Sequence, residues 1–232
     1  MKDAAGAITM LENFEGNYSH MYVDTKGYVT VGVGFMIPSA GAAVGYTFYL
    51  ANPRPAAHSP HVRGPHPHTA PRVTVASTPP TNPSGTRATP EEIKGEWTHM
   101  HGRPSGHLAG WYAQYATMYM IQSDIDRLLQ GKINSFEAQL TSSFATWDAF
   151  PAEAQLALLD MIYNLGSLGG FPKLCDSARY HEWTKCAAEC HRMGPSDERN
   201  NATRDRFLAA AKEQQPLPRP GAHHHHHHPA HT

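Results

Sequence analysis

Apolar residues recur at helical spacing near the start of the chain. Ile8 and Leu11 lie three residues apart and predict an amphipathic helix over residues 4–15. Gly16 follows directly and is a typical helix end, because glycine adopts the left-handed conformation at little cost. In this register Glu15 lies one turn beyond Leu11 and shares the inward face of the helix.

Two runs of strand-forming residues follow, separated by a turn. Residues 21–23 and 28–31 are rich in Tyr and Val and flank the sequence Asp-Thr-Lys-Gly at 24–27. Because Asp bonds its own following backbone and Gly accepts a positive φ, this stretch predicts a β-hairpin. Gly32 and Gly34 alternate with valines, which indicates that the backbone there passes close to another group, either a sugar chain or the facing helix.

The C-terminal half contains a helix that is apolar almost all round. Residues 151–166 begin with Pro and end with Gly, as buried helices of small domains often do. A second apolar stripe at helical spacing is predicted to be core, and it consists of Trp183, Cys186, Ala187, Cys190 and Met193.

A proline-rich stretch interrupts this pattern. Residues 51–90 hold ten of the 19 prolines, a density that disfavours helices and central strands. We predict a surface excursion or linker over 36–90, in which 46–50 and 72–76 form either a small additional hairpin or a cover. The excursion ends at 89–92, where the sequence Thr-Pro-Glu-Glu predicts a capped helix start.

Composition and charge limit the classes of function. The chain has 232 residues, 40% hydrophobic and 17% charged, and no apolar run approaches the roughly 20 residues of a membrane span. Residues 36–90 and 214–232 contain five of the 19 basic residues and no acids, so the remainder has 14 bases against 20 acids, a net charge of −6. This balance argues against a nucleic-acid partner, and we expect a monomer without membrane insertion.

Histidines are abundant, but their spacing does not predict a metal site. Four of them lie between prolines, with no carboxylate among them: His58, His61, His66 and His68. We therefore expect a solvated linker, no metal and no cofactor. The run His223–His228 is interpreted as an affinity tag, with a natural His-rich tail as the alternative.

The cysteine count is odd. Cys175, Cys186 and Cys190 are first interpreted as buried thiols. A disulfide from Cys175 to either of the other two, which would suit an oxidising periplasm, remains an alternative. So does a zinc site formed by Cys186, Cys190 and His191.

Two carboxylates and a hydroxyl are closely spaced in the first part of the chain. Asp24 follows Glu15 by nine residues, and Thr30 follows Asp24 by six. Each alone is more often structural, as a helix-end acid, a turn former or a strand residue. Together they are a compact way to hold two acids around one bond, as glycoside hydrolysis requires.

The motif that carries these residues resembles a known family. Glu-Gly at 15–16, followed by Tyr-x-Asp-x-x-Gly-Tyr-x-Thr-x-Gly-x-Gly at 22–34, resembles the phage-type lysozymes, endolysins of glycoside hydrolase family 24. The resemblance implies that Glu15 is the general acid, Asp24 positions or activates the water, and Thr30 helps to hold it. It also implies an α+β lysozyme-like fold, mostly helical, with a small β-hairpin lobe and a larger helical lobe flanking a cleft.

One position departs from the family. Phe35 stands where the family often has a His that supports the site, so the local support of the site is in doubt.

The C-terminal half resembles the same family. The sequence Asp-Met-Ile-Tyr-Asn-Leu-Gly at 160–166 is similar to its central helix and the following turn. The resemblance implies that Asn164, with Tyr163 and Gly34, binds the glycan, although Asn164 also suits an ordinary helix end. By the register of the family's closing segment, Arg199 is similar to the Arg that ion-pairs with the catalytic Glu.

Two further arginines follow in this segment. Arg204 and Arg206 are predicted on a solvated helix face.

The resemblance implies an antibacterial or lytic muramidase. It would hydrolyse, with inversion, the β-1,4 bond between N-acetylmuramic acid and N-acetylglucosamine in peptidoglycan glycan strands. We expect an N-terminal helix and catalytic hairpin lobe at 1–35, an insertion at 36–90, a helical lobe at 91–213 and a disordered tail at 214–232. A non-catalytic binding module and a lytic transglycosylase remain alternatives.

A long variant with this insertion resembles the lysozyme-like toxin domains of bacterial antagonism, including type VI secretion effectors and pesticin-like bacteriocins. This would add an immunity protein as a partner. The N-terminus does not resemble a signal peptide. We therefore expect action in the bacterial periplasm and cell wall after delivery by a holin, by a secretion apparatus or as part of a longer protein.

Overall fold

The computed structural model describes residues 1–55 and 71–221, and it has the predicted α+β class. About half of the chain is helical, with a small antiparallel sheet. The helices are α1 Ala4–Glu15, α2 Ala40–Ala43, α3 Pro90–His101, α4 Gln122–Ser143, α5 Ala152–Leu165, α6 Pro172–Arg179, α7 Trp183–Glu189 and α8 Asp197–Glu213. The strands are β1 Tyr18–Val23, β2 Val29–Gly32, β3 Phe35–Met36, β4 Tyr49–Leu50 and β5 Met118–Tyr119. Short 3₁₀ helices span Ala109–Tyr115 and Trp147–Ala149.

The described residues divide into two units. Leu11–Gln130 form the hairpin unit, and Met1–Met10 together with the chain from Gly131 onward form the helical unit. Helix α3, which the sequence assigned to the helical lobe, packs against β1 and β2 in the hairpin unit. The four linker histidines and the run His223–His228 lie outside the described residues.

The predicted end of the first helix and the hairpin after it are confirmed. Helix α1 ends at Glu15, and Gly16 has a left-handed φ of 81°. Strands β1, β2 and β3 form an antiparallel sheet in that order, and Gly27 has a φ of 87° in the turn between β1 and β2. The hairpin therefore follows from its turn residues, as predicted.

The predicted hairpin between 46–50 and 72–76 is wrong. Strand β4 pairs with β5 instead, and the rings of Tyr49 and Tyr119 lie 6.2 Å apart across this ladder. Residue 73 is held by a side chain, because Asn52 Oδ1 accepts from the Val73 amide at 2.8 Å. Strand β4 is only two residues long, and its partner comes from a segment that local pattern does not connect to it.

The end of the excursion follows the predicted capping pattern. Thr89 caps α3 by accepting a hydrogen bond from the Glu92 amide, and the Glu92 side chain accepts from the Thr89 amide. Pro90 occupies the first helical position, where its missing N–H costs nothing.

The helical unit is built around α5, which packs against α8, while α7 packs against both α6 and α8. Most of α5 is buried, as its composition predicted, and Gly166 ends it with a φ of 80°. The largest fully buried side chains of this unit are Phe144, Trp147, Phe150, Trp183, Arg192 and Phe207.

Two details of the helical unit differ from the prediction. Met193 is 89% exposed, because α7 ends at Glu189 and the helical register does not reach it. Arg206 does not lie on a purely solvated face, because it donates to Glu153 at 2.9 Å and joins α8 to α5. Arg204 is exposed, as predicted.

The cysteines are free thiols. Cys186 and Cys190 are buried as predicted, and Cys175 is half-buried. Among the helices of the described residues, none combines the length and apolar character needed to cross a membrane.

Candidate active site

Glu15 is the last residue of α1, and the turn after β2 packs against its carboxyl group. A Cβ atom added at Gly34 would lie 2.5 Å from Glu15 Oε2 and 3.0 Å from its Cδ. Gly34 also has a φ of 66°, a conformation that favours glycine. The predicted close approach at Gly34 is therefore confirmed, and the group that it approaches is Glu15.

Asp24 lies in the hairpin turn and uses one oxygen to build it. Its Oδ1 accepts hydrogen bonds from the amides of Lys26 at 2.9 Å and Tyr28 at 2.8 Å. Its Oδ2 accepts no hydrogen bond from any described residue. The turn therefore fixes the carboxylate and leaves one oxygen available to a water molecule.

Tyr22 is buried, and burial raises the pKa of its hydroxyl, with the carboxylates of Glu15 and Asp24 adding to this effect.

Thr30 lies directly opposite Tyr22 in the β1–β2 ladder, so their side chains share one face of the sheet. Its hydroxyl donates to the Tyr28 carbonyl at 3.0 Å. A threonine hydroxyl has one proton and two lone pairs. Thr30 can therefore only accept a hydrogen bond from a water molecule, which orients that water.

A bulge in β1 shapes this face. Tyr18 pairs with Gly32 and Tyr22 pairs with Thr30, so three residues of β1 oppose a single residue of β2. The bulge also brings the rings of Tyr18 and Tyr22 to 5.1 Å in an edge contact. Bulges re-aim side chains in this way, and sequence reasoning missed this one.

His20, in the middle of the bulge, is fully buried and held on both sides. Its Nδ1 lies 2.9 Å from the Met21 carbonyl, and its Nε2 lies 2.9 Å from Ser77 Oγ. Because a carbonyl only accepts, Nδ1 donates and Nε2 accepts in the neutral ring. Burial lowers the pKa of His20, with the Met21 hydrogen bond opposing it. The proline-rich excursion thus supports the candidate site through Ser77.

Phe35 stands at the position where phage-type lysozymes often have a His that supports the site. It is fully buried, and a Cβ atom added at Gly32 would lie 2.6 Å from its ring. The turn after β2 is therefore packed by an apolar ring against a glycine.

The predicted residues of the C-terminal half lie in the helical unit. Arg199 donates to Asp160 through Nη2 at 2.7 Å and through Nε at 3.1 Å. Its ion pair with Glu15 stays a prediction. Asp160 also accepts from Arg192 Nη2 at 2.8 Å, so two buried cations share one buried carboxylate.

Tyr163 and Asn164 lie in the last turn of α5, and both are half-buried. Asn164 Oδ1 accepts from Arg192 Nη1 at 3.2 Å, and the Tyr163 ring lies 5.7 Å from that of Phe136. Arg192 was missed by sequence reasoning, because it lies in the loop after α7, where no periodic pattern marks it as buried.

The structure thus brings Glu15, Asp24, Thr30 and Gly34 into the hairpin unit, and it holds Tyr163, Asn164 and Arg199 in the helical unit. Within residues 1–55 and 71–221, no group of three or more His, Cys, Asp or Glu side chains is arranged to hold a metal ion. No protein-family model matches the chain, and no curated protein matches it either.

Proposed function

We propose that this protein is a lysozyme-like muramidase that hydrolyses the β-1,4 bond between N-acetylmuramic acid and N-acetylglucosamine in peptidoglycan. The observation that carries the proposal is that the hairpin unit holds both acids: Glu15 lies against the turn at Gly34, and Asp24 lies in the turn between β1 and β2. Two acids in one unit, one at a helix end and one in a turn, suit the two carboxylates of a glycosidase. The motif shared with phage-type lysozymes supports the same assignment and a lysozyme-like fold.

In the proposed reaction Glu15 donates its proton to the glycosidic oxygen as the bond to the anomeric carbon breaks. A water molecule attacks that carbon from the opposite face, and Asp24 takes its proton through Oδ2. Thr30 accepts the second proton of that water in a hydrogen bond, which leaves a water lone pair for the attack. The products are two sugar ends with inverted configuration at the cleaved centre.

Other residues take supporting roles in this proposal. Gly34 leaves room for the Glu15 carboxyl group, and the resemblance to phage-type lysozymes implies that it also contacts the glycan. Tyr163 and Asn164 bind the glycan. The enzyme acts as a monomer on glycan strands in the bacterial wall, and an immunity protein of the producing cell is a further partner.

Digestion of purified peptidoglycan tests the proposal. Wild type should release new reducing ends, whereas Glu15→Gln and Asp24→Asn should each lose activity by roughly 100-fold or more. Asn at 24 keeps an Oδ1 acceptor for both turn amides, so the hairpin should persist.

Matched controls are Glu12→Gln, one turn earlier in α1, and Asp148→Asn in the 3₁₀ helix at Trp147–Ala149. Both should retain activity. Equal activity in wild type and the two site variants contradicts the site assignment. Anhydro-muramic ends instead of reducing ends would identify a lytic transglycosylase.

A further inference from the structure

Arg192 is a buried arginine whose guanidinium group donates to four acceptor atoms of three residues. Its Nη2 donates to Asp160 Oδ2 and to Thr203 Oγ1, both at 2.8 Å. Its Nη1 donates to Asn164 Oδ1 at 3.2 Å and to the Asp160 carbonyl at 3.4 Å. The Arg192 side chain is 1% exposed, so its position is set by these bonds and by the surrounding core.

This arrangement determines which end of the Asn164 amide faces Arg192. A guanidinium group has donors and no acceptor, so only the amide oxygen can meet it. A flipped amide would place its NH₂ group against Arg192 and lose the bond. The amide orientation therefore follows from chemistry rather than from the similar shapes of oxygen and nitrogen.

The other end of the amide is then a donor. Asn164 is half-buried, and its Nδ2 donates to no described residue. An NH₂ group in this position can bind a ligand acceptor and cannot accept from a ligand N–H. Sugar hydroxyls both donate and accept, whereas the carbonyl oxygen of an acetamido group only accepts.

We propose that Arg192 is a positioning residue that turns the Asn164 amide outward as a donor for the acetamido carbonyl oxygen of the glycan. This specificity rests on the proposed function, because it assumes a glycan substrate. Asn164 selects N-acetylated over N-deacetylated sugars, and Arg192 acts through it without touching the ligand.

The test compares binding of penta-N-acetylchitopentaose with binding of its fully deacetylated counterpart. Asn164→Asp is the decisive variant, because its carboxylate keeps an acceptor for Arg192 but presents no donor to the ligand. We expect it to weaken binding of the acetylated pentamer about tenfold, the loss of one hydrogen bond. Binding of the deacetylated pentamer should not weaken.

The matched control is Asn201→Asp, which adds the same charge at an exposed position of α8. It should leave binding of the acetylated pentamer unchanged. An Asn164→Asp variant that weakens both ligands equally, or neither, overturns the inference.

A second measurement tests the orientation without any glycan. Asn164→Asp places a carboxylate against Arg192 and should raise the unfolding midpoint at pH 7 relative to Asn164→Leu. A lower midpoint for Asn164→Asp than for Asn164→Leu would contradict the orientation. Suppose that the binding and unfolding results are as expected but wild type releases no reducing ends from peptidoglycan. The proposed function is then contradicted, and the inference about Arg192 and Asn164 is not.

Discussion

The contact between Gly34 and Glu15 predicts a specific defect for Gly34→Ala. The substitution adds one methyl group at a position where the nearest atom is the Oε2 of the proposed general acid, 2.5 Å away. Ordinary contacts of a Cβ atom lie at 3.4–4 Å. The Glu15 carboxyl group must therefore move by about 1 Å, and a misplacement of that size costs a catalytic group on the order of 100-fold in rate.

The same substitution also has a cost in stability. Gly34 has a φ of 66°, and a residue with a Cβ atom in this region costs roughly 1–2 kcal/mol. We therefore expect Gly34→Ala to lower the free energy of unfolding by about that amount while remaining folded. The loss of activity should be far larger than this loss of stability explains.

Release of reducing ends from peptidoglycan and urea unfolding should be measured on the same preparations. Gly106→Ala is the matched control, because Gly106 also has a positive φ, 96°, but a Cβ atom there would meet nothing within 4 Å. It should lose a comparable amount of stability and keep its activity.

Two outcomes would refute this reasoning. Wild-type activity in Gly34→Ala would show that the position of the Glu15 carboxyl group does not govern the reaction. An equal loss of activity in Gly106→Ala would show that backbone strain, and not the contact with Glu15, causes the defect.

Three further predictions concern stability. Asp160→Asn should lower the free energy of unfolding, measured with urea, by about 3–5 kcal/mol, because it removes the carboxylate between two buried arginines. The matched control Asp205→Asn, at an exposed ion pair, should cost under about 1 kcal/mol. The pKa values of His20 and His181 are lowered, mainly by burial, so below about pH 6.5 the unfolded chain binds more protons than the folded one. The thermal unfolding midpoint should therefore fall as the pH drops below about 6.5. An unchanged midpoint between pH 7 and 5 would contradict this. Thr89→Ala should cost about 1 kcal/mol through loss of the α3 cap, measured by urea unfolding, and no loss would mean that the cap contributes nothing.

Local elements of this protein follow from short-range rules. The end of α1 at Gly16, the turn at Gly27 and the cap at Thr89 each depend on residues within four positions of one another. Such signals are complete in the sequence, because the hydrogen bonds that they describe close over one turn. The pairing of β4 with β5 joins segments almost 70 residues apart, and no local rule predicts it.

In the candidate site, too, some features follow from the sequence and others only from the tertiary structure. The spacing of Glu15, Asp24 and Thr30 marked them as a set, and the structure puts all three in one unit. The close approach at Gly34 was also predicted, with a sugar chain or the facing helix as its partner, and the structure shows that the group approached is Glu15 at the end of α1.

The sequence by itself determined the hairpin, its two acids and the helices that end in glycine, because turn and helix signals act between near neighbours. Only the tertiary structure decided which groups are buried beside them. His20 is held by Ser77, and the Asn164 amide is turned by Arg192, across 57 and 28 residues of chain. Burial and the direction of a hydrogen bond depend on partners distant in sequence, and these partners decide what each side chain presents to a substrate.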